Sequence, residues 1–313
     1  MKIFALTIAA TLVWCCCNGA DDGQFEKLGI RFTADTVVWN VPTNRIKTNV
    51  FSYKVVLSRF DDRLTADLLK VANLQATDRL TRDDSRFGEG AASYENAKQN
   101  RFLGIYPTSG WIYYLNRNAV ESSKKAIIIV PGEEEAVELA VRQLGQLGFK
   151  REELAVDEHN KIEAVGMNQQ ETRLNKSTGE REKRILSRTV FLFRQKDGIS
   201  FSGLGNSGGA QVEYGNFAAL ARLEIVWRDL KRFNRCANIT KEDLLKRIKN
   251  GSAIVGSSAS DHFKSLTLTD LKYHYLEYPK NTPQEMVFPY VELEAQAVSD
   301  LETNKVFLFL PLR

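Results

Sequence analysis

Histidine and cysteine are scarce in this chain. Its 313 residues hold three histidines and four cysteines, and three of those cysteines sit together as Cys15, Cys16 and Cys17. His159, His262 and His274 show none of the paired spacings that grip a metal ion, so no metal site is expected. Past residue 17, Cys236 stands alone. A mature chain with one thiol has no internal disulfide framework and must rely on its hydrophobic core. With Asn234, Arg235, Ala237 and Asn238 around it and no histidine near, that thiol reads as structural rather than nucleophilic.

Charge of one sign is lacking too. Lysine and arginine total 43 against 39 aspartates and glutamates, a net charge of +4, and the two signs alternate along the chain. A nucleic-acid surface needs a clustered basic excess, so no nucleic-acid partner is expected. Long apolar runs are missing as well: the stretch Ile3 to Trp14 is too short for a comfortable membrane span.

That stretch follows Met1-Lys2 and precedes Cys15 to Ala20, then acidic Asp21-Asp22. A positive start, an apolar centre and small residues after it read as an export signal over residues 1–19. Two alternatives stay open: lipid attachment at one of Cys15 to Cys17, giving a membrane tether, and plain cleavage near Gly19 or Ala20. The expected location is extracytoplasmic either way. Asn175-Lys176-Ser177, Asn238-Ile239-Thr240 and Asn250-Gly251-Ser252 match the glycosylation acceptor pattern, which matters only in a eukaryotic source.

The remainder has the composition of a folded globular protein, 43% hydrophobic and 26% charged. Val37 to Trp39 and Phe51 to Leu57 read as strands. Asp61-Asp62 starts a helix that continues through Leu64, Leu68, Val71 and Ala72 at helical spacing. Residues 77–99 read as a loop. Arg101 to Tyr106 and Gly110 to Leu115 form a hairpin around the turn "YPTSG". A second unit repeats the theme, with a strand at Ala126 to Val130 and a helix from Glu133 to Leu147 closed by Gly148. Glu133, Glu134 and Glu135 compensate the dipole of that helix rather than bind metal. Residues 157–188 read as a long exposed hairpin, a flap, running into a covered central strand at Thr189 to Arg194. Thr240 and Asp243 cap a third helix. Strands follow at Ser265 to Tyr278, Val287 to Val298, where Pro289 marks an edge or bulge, and Lys305 to Leu310. The expected class is therefore α+β, with repeated helix plus antiparallel-sheet units at 24–120, 124–233 and 238–313.

One segment offers chemistry by motif. In "GLGNSGGAQVEYG", residues 203–215, Gly205 to Gly209 fits the nucleophile elbow, with Ser207 as nucleophile and Asp229 or Asp261 with His262 or His274 as partners in order. The glycines also fit a phosphate-cradling loop. Both need a helix directly afterwards, yet "AQVEY" alternates like a strand, so the stretch reads as a glycine-rich turn. Trp111, Tyr113, Trp227, Tyr273 and Tyr275 could line a groove, but at strand spacing they read first as core or cross-strand pairs.

Residues 188–230, with Asp197-Gly198, Ile199, Gly203 and Gly215, resemble the strand region of PepSY and thermolysin-propeptide-like domains. The helix Glu133 to Leu147 matches the one that packs on that sheet, and Ser200 stands where the family has proline. YycI-type regulatory proteins of bacterial envelopes are similar in layout. The resemblance, covering mainly 133–230, implies a cystatin/PepSY-like fold. It also implies a non-catalytic module without cofactor or catalytic residues that binds an envelope or extracellular protein or peptide. The alternative from another class is a secreted serine hydrolase using Ser207.

Overall fold

The computed structural model describes residues 25–57, 60–81, 87–120, 128–174, 179–203, 208–236, 239–256, 259–280, 282–299 and 302–312. Among them lie eighteen strands and four α-helices. In chain order they open with β1 (Ile30–Arg31), β2 (Thr33–Trp39), β3 (Phe51–Val56) and α1 (Asp62–Ala72). Next come β4 (Ala92–Asn96), β5 (Arg101–Tyr106), β6 (Trp111–Asn116), α2 (Arg117–Val120) and α3 (Glu133–Gln146). The long hairpin β7 (Ala164–Leu174) and β8 (Arg181–Phe193) precedes β9 (Gln195–Lys196), β10 (Ile199–Gly203), β11 (Gly209–Tyr214) and β12 (Leu220–Val226). The rest is β13 (Asp229–Arg235), α4 (Lys241–Lys249), β14 (Ile254–Val255), β15 (His262–Glu277), β16 (Met286–Val287), β17 (Pro289–Val298) and β18 (Thr303–Pro311). No helix among the described residues is long and apolar enough to cross a membrane.

The expected α+β class with repeated helix-plus-sheet units is overturned. The chain is mostly β, built on three sheets. Strands β4 to β6 and strands β7, β8, β11 and β12, from regions expected in separate units, share one sheet: β6 pairs with β12, Trp111 opposite Val226 and Leu115 opposite Arg222. Local hairpins are visible as alternation and turns, but a pairing between distant strands leaves no local mark. The strand expected at Ala126 to Val130 is absent from its described part: Ile129 N–H instead binds Asn216 Oδ1 at 2.8 Å. The loop expected at 77–99 contains β4.

Two compact units divide the chain. The first comprises the described residues up to Lys54, Arg232–Leu276 and Met286–Arg313. Its main strands run in the order β1-β14-β18-β17-β15, with β2 parallel to β15. In β15, Leu266 and Leu268 are buried on one parity, and Leu271, Tyr273 and Tyr275 on the other. A register shift between Leu268 and Asp270 reconciles them, because one extra residue turns the following side chains to the same face. Pro289 lies not at an edge but first in β17, between β15 and β18, where a missing N–H is tolerated. Thr240 caps α4 by accepting from Asp243 N–H at 3.1 Å.

The second unit comprises Val55–Lys231 and Glu277–Glu285. Its antiparallel sheet runs β4-β5-β6-β12-β11-β8-β7. Helices α1 and α3 lie on one face, over a core that includes Leu103, Ile112, Val190, Leu192, Val212, Leu223 and Ile225. Asp61 caps α1 through Leu64 N–H at 2.8 Å. Ala136, Ala140 and Leu144 of α3 are buried, and small side chains there let the helix approach the strands closely. Each large apolar side chain so covered stabilises the unit by about 1.5–3 kcal/mol. The segment Thr189 to Phe193, expected in a central strand, belongs to β8, one strand from the edge. Val190 and Leu192 are buried while Phe191 and Phe193 are only half-covered. The 157–188 stretch does form a hairpin, continuous with the sheet as β7 and β8.

Candidate functional site: an aromatic and cationic band on the seven-stranded sheet

Alternation sends Leu103, Ile105, Ile112 and Tyr114 toward the helices, and Phe102, Tyr106, Trp111 and Tyr113 to the opposite face. Register brings these aromatics together: Tyr106 is opposite Trp111, and Gly104 opposite Tyr113. Tyr106 stacks on Trp111 with ring centroids 4.5 Å apart and planes 20° apart. Phe87 adds to one end, 4.8 Å from Tyr106. Tyr113 and Phe102 continue the other, at 5.9 and 6.1 Å between successive rings. Gly104 makes the stack possible, since a Cβ there would lie 2.5–2.8 Å from the Tyr106 ring and hydroxyl. Gly110, at φ 67°, closes the turn before Trp111, where a Cβ would meet Arg228 at 2.7 Å.

Cations flank the rings. Lys280 Nζ lies 5.1 Å from the Trp111 centroid and Arg222 Cζ 5.4 Å from that of Tyr113. Glu224, next to Tyr113 in register and 2% exposed, holds both: Arg222 donates to it at 2.6 Å, and Lys280 donates to its other oxygen. Phe102, Trp111, Tyr113 and Arg222 remain half-exposed. Trp111 Nε1–H is buried without a hydrogen-bond partner among the described residues.

Lys280 is positioned by a buried ionic knot. Arg228 donates to Glu277 Oε1 at 3.0 Å and to the carbonyls of Tyr278, Pro279 and Thr282 at 3.3, 3.4 and 3.0 Å. Arg194 stands 3.8 Å from the same carboxylate, its guanidinium over Phe201 and Trp227 at 4.5 and 5.0 Å. All three ionic side chains are at most 2% exposed. Burial lowers the Arg228 pKa, and the Glu277 charge and hydrogen bond act against that fall. Gln284 Oε1 accepts Tyr278 N–H at 3.0 Å and closes the segment.

The residues singled out by sequence scatter. Ser207 with residues 204–206 before it, and Cys15 to Cys17, lie outside the described residues. His159 is exposed in a turn beside Glu158. His262 and His274 occupy the start and the later part of β15. Thr33 Oγ1, the His262 ring and Asp35 line up at 3.0 and 3.7 Å. Hydroxyl, imidazole and carboxylate there resemble a catalytic row, but the imidazole and carboxylate are 49% and 64% exposed, so bulk water surrounds them. His274 packs on Tyr290, centroids 5.4 Å apart, and burial pushes its pKa down to about 4. Glu292 is 3.9 Å away, and burial raises its pKa, so both shifts favour neutral partners over an ion pair. The Cys236 thiol is half-buried, reaches the Leu312 carbonyl at 3.5 Å, and is pushed up to about 11 by burial. Trp227, Tyr273 and Tyr275 are core residues, and Tyr275 meets Tyr53 edge-on at 5.3 Å. Trp111 and Tyr113 are the members of that aromatic group that form the half-exposed band. No group of three or more His, Cys, Asp or Glu that could hold a metal occurs among the described residues.

What this geometry offers is recognition: flat apolar rings for contact, and two cations already neutralised on one side by Glu224. No family model matches the chain, and no curated protein does. Solved structures do match, among them an uncharacterized protein from Eubacterium rectale ATCC 33656. It shares 15% identity over 88% of this chain and 86% of that one, with a TM-score of 0.42, a likeness too slight to speak for fold or activity.

Proposed function

We propose that this chain is an exported, non-catalytic binding or regulatory protein of the cell envelope, acting through protein or peptide contacts on its sheets. The observation that carries the reading is the half-exposed row Phe102, Tyr113, Trp111 with Arg222 and Lys280 on the face of the seven-stranded sheet away from α1 and α3. Aromatic and arginine side chains dominate the energy of protein interfaces, and here they are braced before any partner arrives. Export rests on the apolar leader at residues 3–14.

Quantitative pull-down from the native envelope tests the reading. Trp111→Ala and Lys280→Ala should each reduce recovery of one stoichiometric partner, with the tryptophan change costing about 2 kcal/mol or more in binding. Unchanged recovery with both folded variants refutes the assignment of the band. Labelling of Ser207 by a fluorophosphonate probe refutes the non-catalytic reading.

A further inference from the structure

The two edges of the seven-stranded sheet end differently. On the outer side of β4, Arg79 bridges Tyr94 and Leu80 N–H donates to the Ser93 carbonyl at 2.8 Å. β7 has eleven residues, and among the described residues no strand pairs with its outer side. Residues 164–170, Ala-Val-Gly-Met-Asn-Gln-Gln, contain neither charge nor proline, the usual devices that blunt a sheet edge. Val165 and Met167 are 50% and 59% exposed.

A groove of about 810 Å³ opens where this edge begins, at Ala164. Its apolar lining is Val137 and Val141 from α3 with Ile162 and Ala164 from the strand side. Charges are sorted along it. Glu133, at the start of α3, pairs with Arg188, which stands opposite Asn168 of β7, so that end of the groove carries Glu134 and Glu138. Arg151, just past the end of α3, lines a neighbouring depression with Asn160 and Ile162, which puts the later turn of α3 with Arg142 on the Ile162 side, where Lys161 also lines the groove. Helix and edge strand therefore run in opposite directions.

We propose that the β7 edge and this groove bind an extended peptide segment of a partner protein by strand addition. In an edge strand every second residue turns its N–H and C=O outward, and a further strand satisfies them as a ladder. Alternate side chains of that strand drop onto Val137, Val141, Ile162 and Ala164. The charges choose the direction. An antiparallel segment places its N-terminal residues beside Glu134 and Glu138 and its C-terminal residues beside Arg142, Arg151 and Lys161. The fitting segment is thus basic first, apolar at alternate positions and acidic last. This site extends the binding reading to a second surface, and its test does not depend on the aromatic band.

The probe is a short fluorescein-labelled peptide with lysines first, alternating valine and threonine, and glutamates last, titrated onto the full chain by anisotropy. It should bind at least about tenfold more tightly than the same peptide with its charges reversed end for end. Arg142→Glu combined with Lys161→Glu, both exposed side chains, leaves acidic groups at both ends of the groove and should erase most of that preference. Binding should slow amide exchange at 164–170, and N-methylation of alternate peptide amides should abolish it. No binding, equal binding of both peptides, or protection elsewhere overturns the proposal. So does exchange protection at 164–170 that rises with protein concentration alone, which would make the occupant a second copy. Trp111→Ala should leave peptide affinity unchanged, whereas loss in that variant would assign the peptide to the aromatic band and sink the edge site.

Discussion

His274 offers the sharpest test of the first unit. Its ring is 17% exposed, stacks on Tyr290 and has no hydrogen-bond partner at either nitrogen among the described residues. Burial, helped by the Lys272 charge, lowers its pKa from 6.5 to about 4. Between those values the unfolded chain binds a proton that the folded chain refuses, so stability falls as pH falls. At about 1.4 kcal/mol per unit, the window from 6.5 to about 4 is worth about 3 kcal/mol, fully present above pH 6.5. Glu292 works in the opposite sense: its raised pKa lets the folded state take up a proton first, which adds stability as pH falls through the carboxylate range. His274→Phe isolates the imidazole. The ring stack survives, and at neutral pH the change should be neutral or stabilising by about 1 kcal/mol, since an unpaired buried polar group is removed. Urea unfolding of both proteins from about pH 7.5 to about pH 4.5 should show the variant gaining on the wild type by about 1.4 kcal/mol per unit below pH 6.5. A parallel pair of stability curves, or an imidazole that titrates near 6.5 in the folded chain, refutes the reasoning.

Two further outcomes concern buried groups. Glu277→Gln leaves the Arg194 and Arg228 guanidiniums without the carboxylate between them, and should destabilise by about 3–5 kcal/mol in urea unfolding; a change under about 1 kcal/mol would mean that water reaches the knot. The Cys236 thiol, raised from 9.0 to about 11, should react with a disulfide reagent at mildly alkaline pH about a hundredfold more slowly in the folded chain than in urea. Equal rates would place the thiol in solvent.

Local signals carried well. Asp61 and Thr240 cap the helices their side chains announce, because capping needs only an oxygen three residues before a free N–H. The β5–β6 hairpin follows from alternation around "YPTSG". What stayed hidden depends on partners far along the chain. The pairing of Trp111 with Val226 joins expected units into one sheet, and nothing in either strand names the other. In β15 the buried set changes parity at the bulge, so a strict period-2 count would put half its apolar residues on the wrong face. Arg194 interrupts no sequence pattern, since its burial depends on Glu277, Phe201 and Trp227 arriving from elsewhere.

The aromatic band shows the limit most plainly. Alternation in Trp111 to Leu115 divides the residues into two faces, and both are apolar: Ile112 and Tyr114 on one, Trp111, Tyr113 and Leu115 on the other. A period of two says that the faces differ, not which is covered. That choice is made by α1 and α3, whose buried Leu64, Leu68, Ala140 and Leu144 settle on the Ile112 face. Trp111 and Tyr113 are left half-exposed by this placement. They matter only together with Lys280, which the Arg228–Glu277 knot brings to Trp111 from a segment many residues later. Loosening that knot should therefore weaken binding at the band even where Trp111 itself is untouched.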